Sequence, residues 1–338
     1  MPIRDPLSPL EAQRLWRRSE IKEFAFPQAP RATSHVVVRP QRNRTDRADH
    51  EDRELAHVSE PGLPAAGDIT VVPELILPPR RLAVAGRPVE PLYVYPPDKR
   101  RVFKDTTFPW RACGKVSTGG SGSGAGALVG PRHLLTASHV VDWTATDNGW
   151  LLFQPDYYEG DVFPSSYAES VYSYEQIGNP QGEYDVAEDY VVCVLQERLG
   201  DQLGWLGATT YTDDWDGTAA FNHVGYPTDV GGGRKPAWEL FFSIANSWNP
   251  GFFESGHALD IETFASLNHG DSGGPVFAWW PDGGPYGGAP AGPYVVAVVS
   301  AQGTLGPVVT DPVDRTANWL AGGSELPDLV NQARSEYP

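Results

Sequence analysis

Cysteine is scarce: the 338 residues hold only Cys113 and Cys193. Two cysteines cannot build a disulfide framework, nor a structural zinc site made of cysteines alone. The pair can form one bridge or stand as two separate buried thiols. Long apolar runs are also missing. No stretch approaches the roughly 18–20 residues of a membrane span, so a soluble protein with no membrane partner is expected. The first thirty residues carry Arg14, Arg17, Arg18, Glu20, Lys22 and Glu23, with no apolar block of signal-peptide length. A cytoplasmic or non-classically exported protein is the expectation, and the compartment is otherwise open. Basic residues are scarce over most of the chain. Residues 105–338 hold 8 Lys and Arg against 29 Asp and Glu, whereas residues 1–104 hold 18 against 14. A body that acidic repels phosphate backbones, which excludes nucleic acid as the expected partner.

What is present divides near residue 104. Residues 1–104 contain 15 prolines and the Arg-rich stretch Arg39-Pro40-Gln41-Arg42-Asn43-Arg44. Proline fixes φ and removes a donor, so long helices and central strands are disfavoured there. The segment reads as an N-terminal extension or pro-segment, with a helix over residues 9–24. Short strands are expected at Val36-Val37-Val38 and Leu75-Ile76-Leu77. Beyond it, residues 105–338 show short β-type runs broken by glycine and proline. Examples are Tyr190-Val191-Val192-Cys193-Val194-Leu195 and Tyr294-Val295-Val296-Ala297-Val298-Val299. Such runs describe an all-β sandwich or barrel. One helix is expected over about 326–334, with Ser324 as its cap. Residues 281–288 read as a long, flexible hairpin tip.

The sharpest local signal is Gly270-Asp271-Ser272-Gly273-Gly274-Pro275, followed by an apolar strand. A serine hydroxyl attacks poorly unless a base takes its proton and preorganised donors meet the oxyanion. Flanking glycines allow a turn tight enough to aim the Gly270 and Ser272 amides at one point. An isolated Asp-Ser-Gly-Gly is more often an ordinary turn, but two other features accompany it. His133-Leu134-Leu135-Thr136-Ala137-Ser138-His139 is an apolar strand that delivers a histidine at its end, and histidine suits base and acid duty near neutrality. Asp189 then precedes the strand from Tyr190, where it can orient an imidazole. Asp185 is a competing match, but Glu188 would interrupt a strand starting from it. Asp189 is therefore expected.

His139 within Leu-Thr-Ala-Ser-His, Asp189 before Tyr-Val-Val and Ser272 within Gly-Asp-Ser-Gly-Gly-Pro resemble the triad motifs of trypsin-like serine proteases. They follow the His, Asp, Ser order of the chymotrypsin template. The lead-in Gly124-Ala125-Gly126-Ala127-Leu128-Val129-Gly130 and Gly225-Tyr226-Pro227 resemble the bacterial and fungal glutamyl-endopeptidase-like branch. Val140 stands where many members have a cysteine, so the bridge beside the base is missing. The resemblance covers about residues 105–335. It implies a chymotrypsin-like all-β fold of two six-stranded antiparallel barrels, about 105–200 and 201–322, with a C-terminal helix at about 325–335. The active site would lie between the barrels.

By the same resemblance, the chain is a serine endopeptidase acting on a peptide or protein substrate as a monomer, with no cofactor. His139, Asp189 and Ser272 are the catalytic residues, and the Gly270 and Ser272 amides form the oxyanion hole. Ser300 hydrogen-bonds near Asp189, and Ser300 to Gln302 pair with substrate backbone. Ser266 takes the floor of the primary pocket. With Val299 and Ala301 it describes a neutral or apolar pocket, with His269 at the mouth. The acidic turn Thr212-Asp213-Asp214-Trp215-Asp216-Gly217 fits no standard calcium loop, and His223 and His257 lack metal spacing, so no metal is expected. Lys99-Arg100-Arg101-Val102 reads as an exposed processing site. A cut after Arg101 would free an amine to pair with Asp271, and the net-positive extension would dock on the acidic body before that cut. The alternatives are a catalytically silent binding module of the same fold, and an esterase using the same triad.

Overall fold

The computed structural model describes residues 3–16, 39–42, 58–62, 74–75, 94–119, 122–144, 149–180, 182–250, 258–304 and 316–338. Residues 1–104 contribute helix α1 (Pro9–Trp16) and strands β1 (Arg39–Arg42), β2 (Val58–Ser59), β3 (Glu74–Leu75) and β4 (Arg101–Lys104). Of the segments expected from sequence, Val36-Val37-Val38, Ile76-Leu77 and residues 17–24 lie outside the described residues.

Six strands close the first barrel. They are β5 (Cys113–Thr118), β6 (Ser123–Gly130), β7 (His133–Thr136), β8 (Leu151–Pro155), β9 (Ser166–Ser173) and β10 (Val191–Leu195). They pair antiparallel in the order β9-β10-β7-β6-β5-β8, and β8 returns to β9. Closure removes the free edges that an open sheet must otherwise protect. β1 adds to β9 in parallel. Val191 to Leu195 have no exposed surface, which explains why β10 is a continuous apolar run and does not alternate. Before β10 comes a short helix, α2 (Glu183–Ala187), and after it α3 (Gly200–Leu203).

The second sheet curls into a half-barrel. Its main strands are β11 (Gly207–Thr209), β12 (Phe221–Gly225), β13 (Ala237–Phe242), β14 (Ile244–Trp248), β15 (Ala258–Thr263), β16 (Pro275–Trp280), β17 (Gly292–Thr304) and β18 (Thr316–Gly323). The order is β14-β15-β18-β17-β16-β12-β13-β4-β3. Phe241, inside β13, has φ +57°, and only Ser243 separates β13 from β14. The core here contains Trp215, Phe221, Ile261, Trp280, Tyr294 and Leu320, all fully buried. Helix α4 (Glu325–Glu336) closes the chain and buries Leu326, Leu329, Val330 and Ala333. Ser324 stands at its cap position but makes no side-chain cap bond.

Apart from β1, the strands of residues 1–104 dock on this second half. β4 pairs with β13, β3 with β4, and β2 with β11. Arg4 donates its amide to Pro285 O at 2.9 Å and its Nη1 to Asp282 O at 2.6 Å. The 281–288 segment, expected to be a long flexible hairpin tip, is bonded to Arg4 and carries a Gly283–Ala289 bridge. The basic run is also different from its sequence reading. Arg100 is 2% exposed and Val102, paired with Ala237, is 2% exposed. The Arg101–Val102 bond lies inside a strand; Arg100 is bonded to Asp98 and Asp229, and Arg101 donates to the Asp98 and Arg100 carbonyls. Cys113 and Cys193 are separate, buried and free. Burial pushes both thiols up, that of Cys193 to about 12. Among the described residues no helix is long and apolar enough to cross a membrane.

Candidate active site

His139 is placed by the first barrel. The buried strand β7 ends at Thr136, and Ser138–Val140 form a 3-10 turn that swings the imidazole out of the barrel. Ser138 fixes that turn: Ile177 N donates to its Oγ at 2.9 Å, and Trp143 Nε1 donates to its carbonyl at 2.9 Å. Asp189, with no exposed surface, sits behind the ring. Its Oδ1 accepts from the His139 amide at 2.8 Å, and its Oδ2 lies 2.6 Å from His139 Nδ1. Ser300 Oγ donates to the same Oδ2 at 2.6 Å. Three donors on one buried carboxylate satisfy it and hold the ring in one orientation. With a carboxylate at Nδ1, the neutral ring carries its proton there and leaves Nε2 as the basic nitrogen. Asp185 lies in α2.

Ser272 is placed by backbone. Its carbonyl accepts from Ala125 N at 2.8 Å, and Ala125 O in turn accepts from Thr136 Oγ1 at 2.8 Å. Gly273 has φ +77°, and a Cβ there would strike Thr136 Oγ1 and come within 2.6 Å of Ala137 N. The turn after Ser272 is therefore seated against the segment that leads into His139. A Cβ on Gly124 would meet Ser272 O at 2.5 Å and Val140 Cγ2 at 2.8 Å, so the seryl turn and the neighbour of His139 crowd one point. Among the described residues no hydrogen bond joins Ser272 Oγ to the His139 ring. Such bonds are often long before substrate binds.

The preceding residues form a cradle. Gly270 has φ +96°, and a Cβ would fall on Tyr226 O. Tyr226 N donates to Gly270 O at 3.1 Å and Thr228 N to His269 O at 2.9 Å. The Asp271, Gly273 and Gly274 amides are committed to Asn268 O, Val299 O and Asp271 O. The Gly270 and Ser272 amides donate to no carbonyl among the described residues. Asp271 is 1% exposed, accepts from Asn268 N at 2.8 Å, and lies 3.5 Å from His223 Nε2. The sequence contained His223, but nothing in its local pattern pointed to Asp271.

The expected pocket residues divide. Val299 has no exposed surface and packs in the second core, while its backbone braces Gly273 and Gly274. His269 is exposed, and Ala301 is half-buried. Gln302 pairs with Asn318 in the β17–β18 ladder. Ser266 is 2% exposed and is bonded on two sides. Its amide donates to Glu239 Oε2 at 2.8 Å, and its hydroxyl lies between Tyr95 N at 3.1 Å and Tyr95 O at 3.2 Å. A carboxyl therefore stands beside the position that sequence marked as neutral. It comes from β13, and no motif near Ser266 announces it. Burial pushes the Glu239 carboxyl up, toward its neutral form, against the pull of the Ser266 amide. Among the described residues no cluster of histidine, cysteine or carboxylate could hold a metal ion.

The fold is that of the chymotrypsin-like serine proteases. A Glu endopeptidase structure superposes with a TM-score of 0.53 at 17% identity, covering 72% of this chain and 99% of that one. The protease Anisep from Arthrobacter nicotinovorans gives 0.44 at 18% identity, covering 65% and 92%. Human heparin binding protein gives 0.45 at 13% identity, covering 68% and 93%. No family model and no curated protein sequence matches the chain. At these identities the likeness is one of fold.

Proposed function

We propose that the chain is a serine endopeptidase. The observation that carries this reading is the network around His139: its ring is held by a buried, triply bonded carboxylate, and the Ser272 turn is docked against the strand end that delivers it. Ser272 Oγ attacks the scissile carbonyl and His139 Nε2 takes its proton. Asp189 holds the imidazole through Nδ1 and offsets the charge of the imidazolium. The Gly270 and Ser272 amides receive the oxyanion. His139 then protonates the leaving amine, an acyl-enzyme forms on Ser272, and water repeats the sequence to release the acid.

The substrate side of the reading rests on β17. Its pairing to β16 ends at Val298, and from Ala301 to Thr304 it pairs only with β18 among the described residues. A strand with one open edge accepts a substrate as an added strand. For the primary pocket, the neutral hydroxyl of Ser266 at the expected floor, with Ala301, is read as favouring an uncharged side chain.

The test is labelling of the full chain with a fluorophosphonate. Wild type should label and Ser272→Ala should not, and a peptide library should be cut after neutral residues. Failure to label folded wild type would leave the binding-module reading. Labelling with cleavage of esters but no peptide would favour the esterase.

A further inference from the structure

The basic run before the protease body offers a cation that the proposed chemistry has not used. Arg100 is 2% exposed, and its guanidinium is committed to two carboxylates. Nη1 donates to Asp229 Oδ1 at 3.0 Å and Nη2 to Asp229 Oδ2 at 2.6 Å. Nε and Nη2 donate to Asp98 at 3.2 and 3.1 Å. The paired, forked contact to Asp229 fixes both distance and plane, which a point charge would not. Burial alone would lower the guanidinium pKa, but the bonds to Asp229 and Asp98, with the charges of Asp229 and Asp271, carry the net shift upward.

Asp229 lies in the loop that holds the oxyanion turn. Tyr226 N and Thr228 N, on the same loop, donate to Gly270 O and His269 O. The loop is itself closed by Gly231 N and Gly233 N, both donating to Pro227 O at 3.1 Å. A path of bonded groups thus runs from Arg100 through Asp229 to the two residues before Asp271. On the other side, Arg100 precedes β4, which is anchored on β13 through Val102 and Ala237. We infer that Arg100 is a positioning residue for the oxyanion turn, acting in the uncut chain through Asp229 and the loop that holds Gly270 and His269. The inference rests on the serine-protease reading for its effect on rate, but not for its effect on the loop.

The experiment uses the full-length chain, checked by mass before and after labelling. Intact wild type should label at Ser272. Arg100→Gln should label about tenfold to a hundredfold more slowly, the range expected when oxyanion donors are misplaced by an ångström or less. On a peptide substrate kcat should fall while KM changes little, and melting should stay close to wild type because Asp229 can hydrate. Arg100→Lys should recover part of the rate, and Asp229→Asn combined with Arg100→Gln should cost no more than either alone. Hydrogen exchange gives a readout independent of activity. Amides of 226–233 and 267–273 should exchange faster in Arg100→Gln. Wild-type rate and unchanged exchange in that variant overturn the inference, as does label found only on chains cut between 101 and 102. If wild type fails to label, the protease reading falls, and the exchange result alone decides the role of Arg100.

Discussion

The two halves of the candidate site are held by different means. The first barrel delivers His139 and Asp189, and side chains do the fixing: Ser138 braces the turn, and Asp189 gathers the His139 amide, its Nδ1 and Ser300 Oγ. The second sheet delivers Ser272, and there backbone does the fixing. Gly270 and Gly273 adopt positive φ, and Tyr226 O and Thr136 Oγ1 occupy the places where their Cβ atoms would stand. One half should therefore be sensitive to the loss of a polar atom and tolerant of small changes in bulk. The other should be sensitive to the addition of a single carbon.

Two substitutions set these against each other. Asp189→Asn keeps the shape and changes the hydrogen-bonding character behind the ring, since, with the amide oxygen kept on the His139 backbone N–H, the amide NH2 faces Nδ1 and forces the wrong tautomer. Labelling and peptide hydrolysis should drop about 10⁴-fold with the fold intact by circular dichroism. A drop of less than tenfold would mean the carboxylate is structural only. Gly273→Ala should act through the fold. A side chain at φ +77° facing Ala125 O and Ala137 N at 2.6 Å has no soft neighbour to displace. The expected loss is about 3 kcal/mol in denaturant unfolding, with labelling abolished. Wild-type stability in that variant would show that the seryl turn is not seated as described.

The same division explains what could be read from the sequence. The His139–Asp189 contact and the glycine turn at Ser272 could be expected because each lies in a short motif, a strand end or a glycine turn, written in adjacent residues. The choice of Asp189 over Asp185 followed from where an apolar strand could begin, and Asp185 falls in α2. The first barrel followed from runs such as β10. Glu239 beside Ser266, His223 beside Asp271 and Arg100 on Asp229 were not legible. Each is a contact between segments far apart in the chain, 27 residues for Glu239 and 129 for Arg100, and nothing local distinguishes a buried cation from a solvated one. For the same reason Val299 was read as pocket lining, although it faces the core.

Asp260 sharpens the comparison of carboxylates. It lies on β15, is 1% exposed, and its Oδ1 has no hydrogen-bond partner, in contrast to the three donors at Asp189. Burial, with the nearby charges of Glu183 and Glu262, pushes its carboxyl up to about 8. A folded-state pKa raised above the unfolded one means that the native state holds a proton the unfolded state has released. Stability from this group is thus full below about pH 4 and is lost as pH rises toward 8, by up to about 1.4 kcal/mol per pH unit. Asp260→Asn should flatten that slope in urea titrations between pH 5 and 8. An unchanged slope would place the pH dependence elsewhere.

The smallest expected effect belongs to Ser300. Its hydroxyl is one of three donors on Asp189, and the other two come from His139 itself. Ser300→Ala removes a charge-assisted bond but leaves the carboxylate paired, so the cost should be about 1.5 kcal/mol, or roughly tenfold in the rate of labelling. Because Ser300 begins the part of β17 left open on one edge, a shortened side chain should leave the backbone ladder to β18 untouched. KM for an extended peptide should then stay near wild type while kcat falls. A rise in KM with kcat preserved would assign Ser300 to substrate binding, and would make the support of Asp189 a matter of the His139 amide and ring alone.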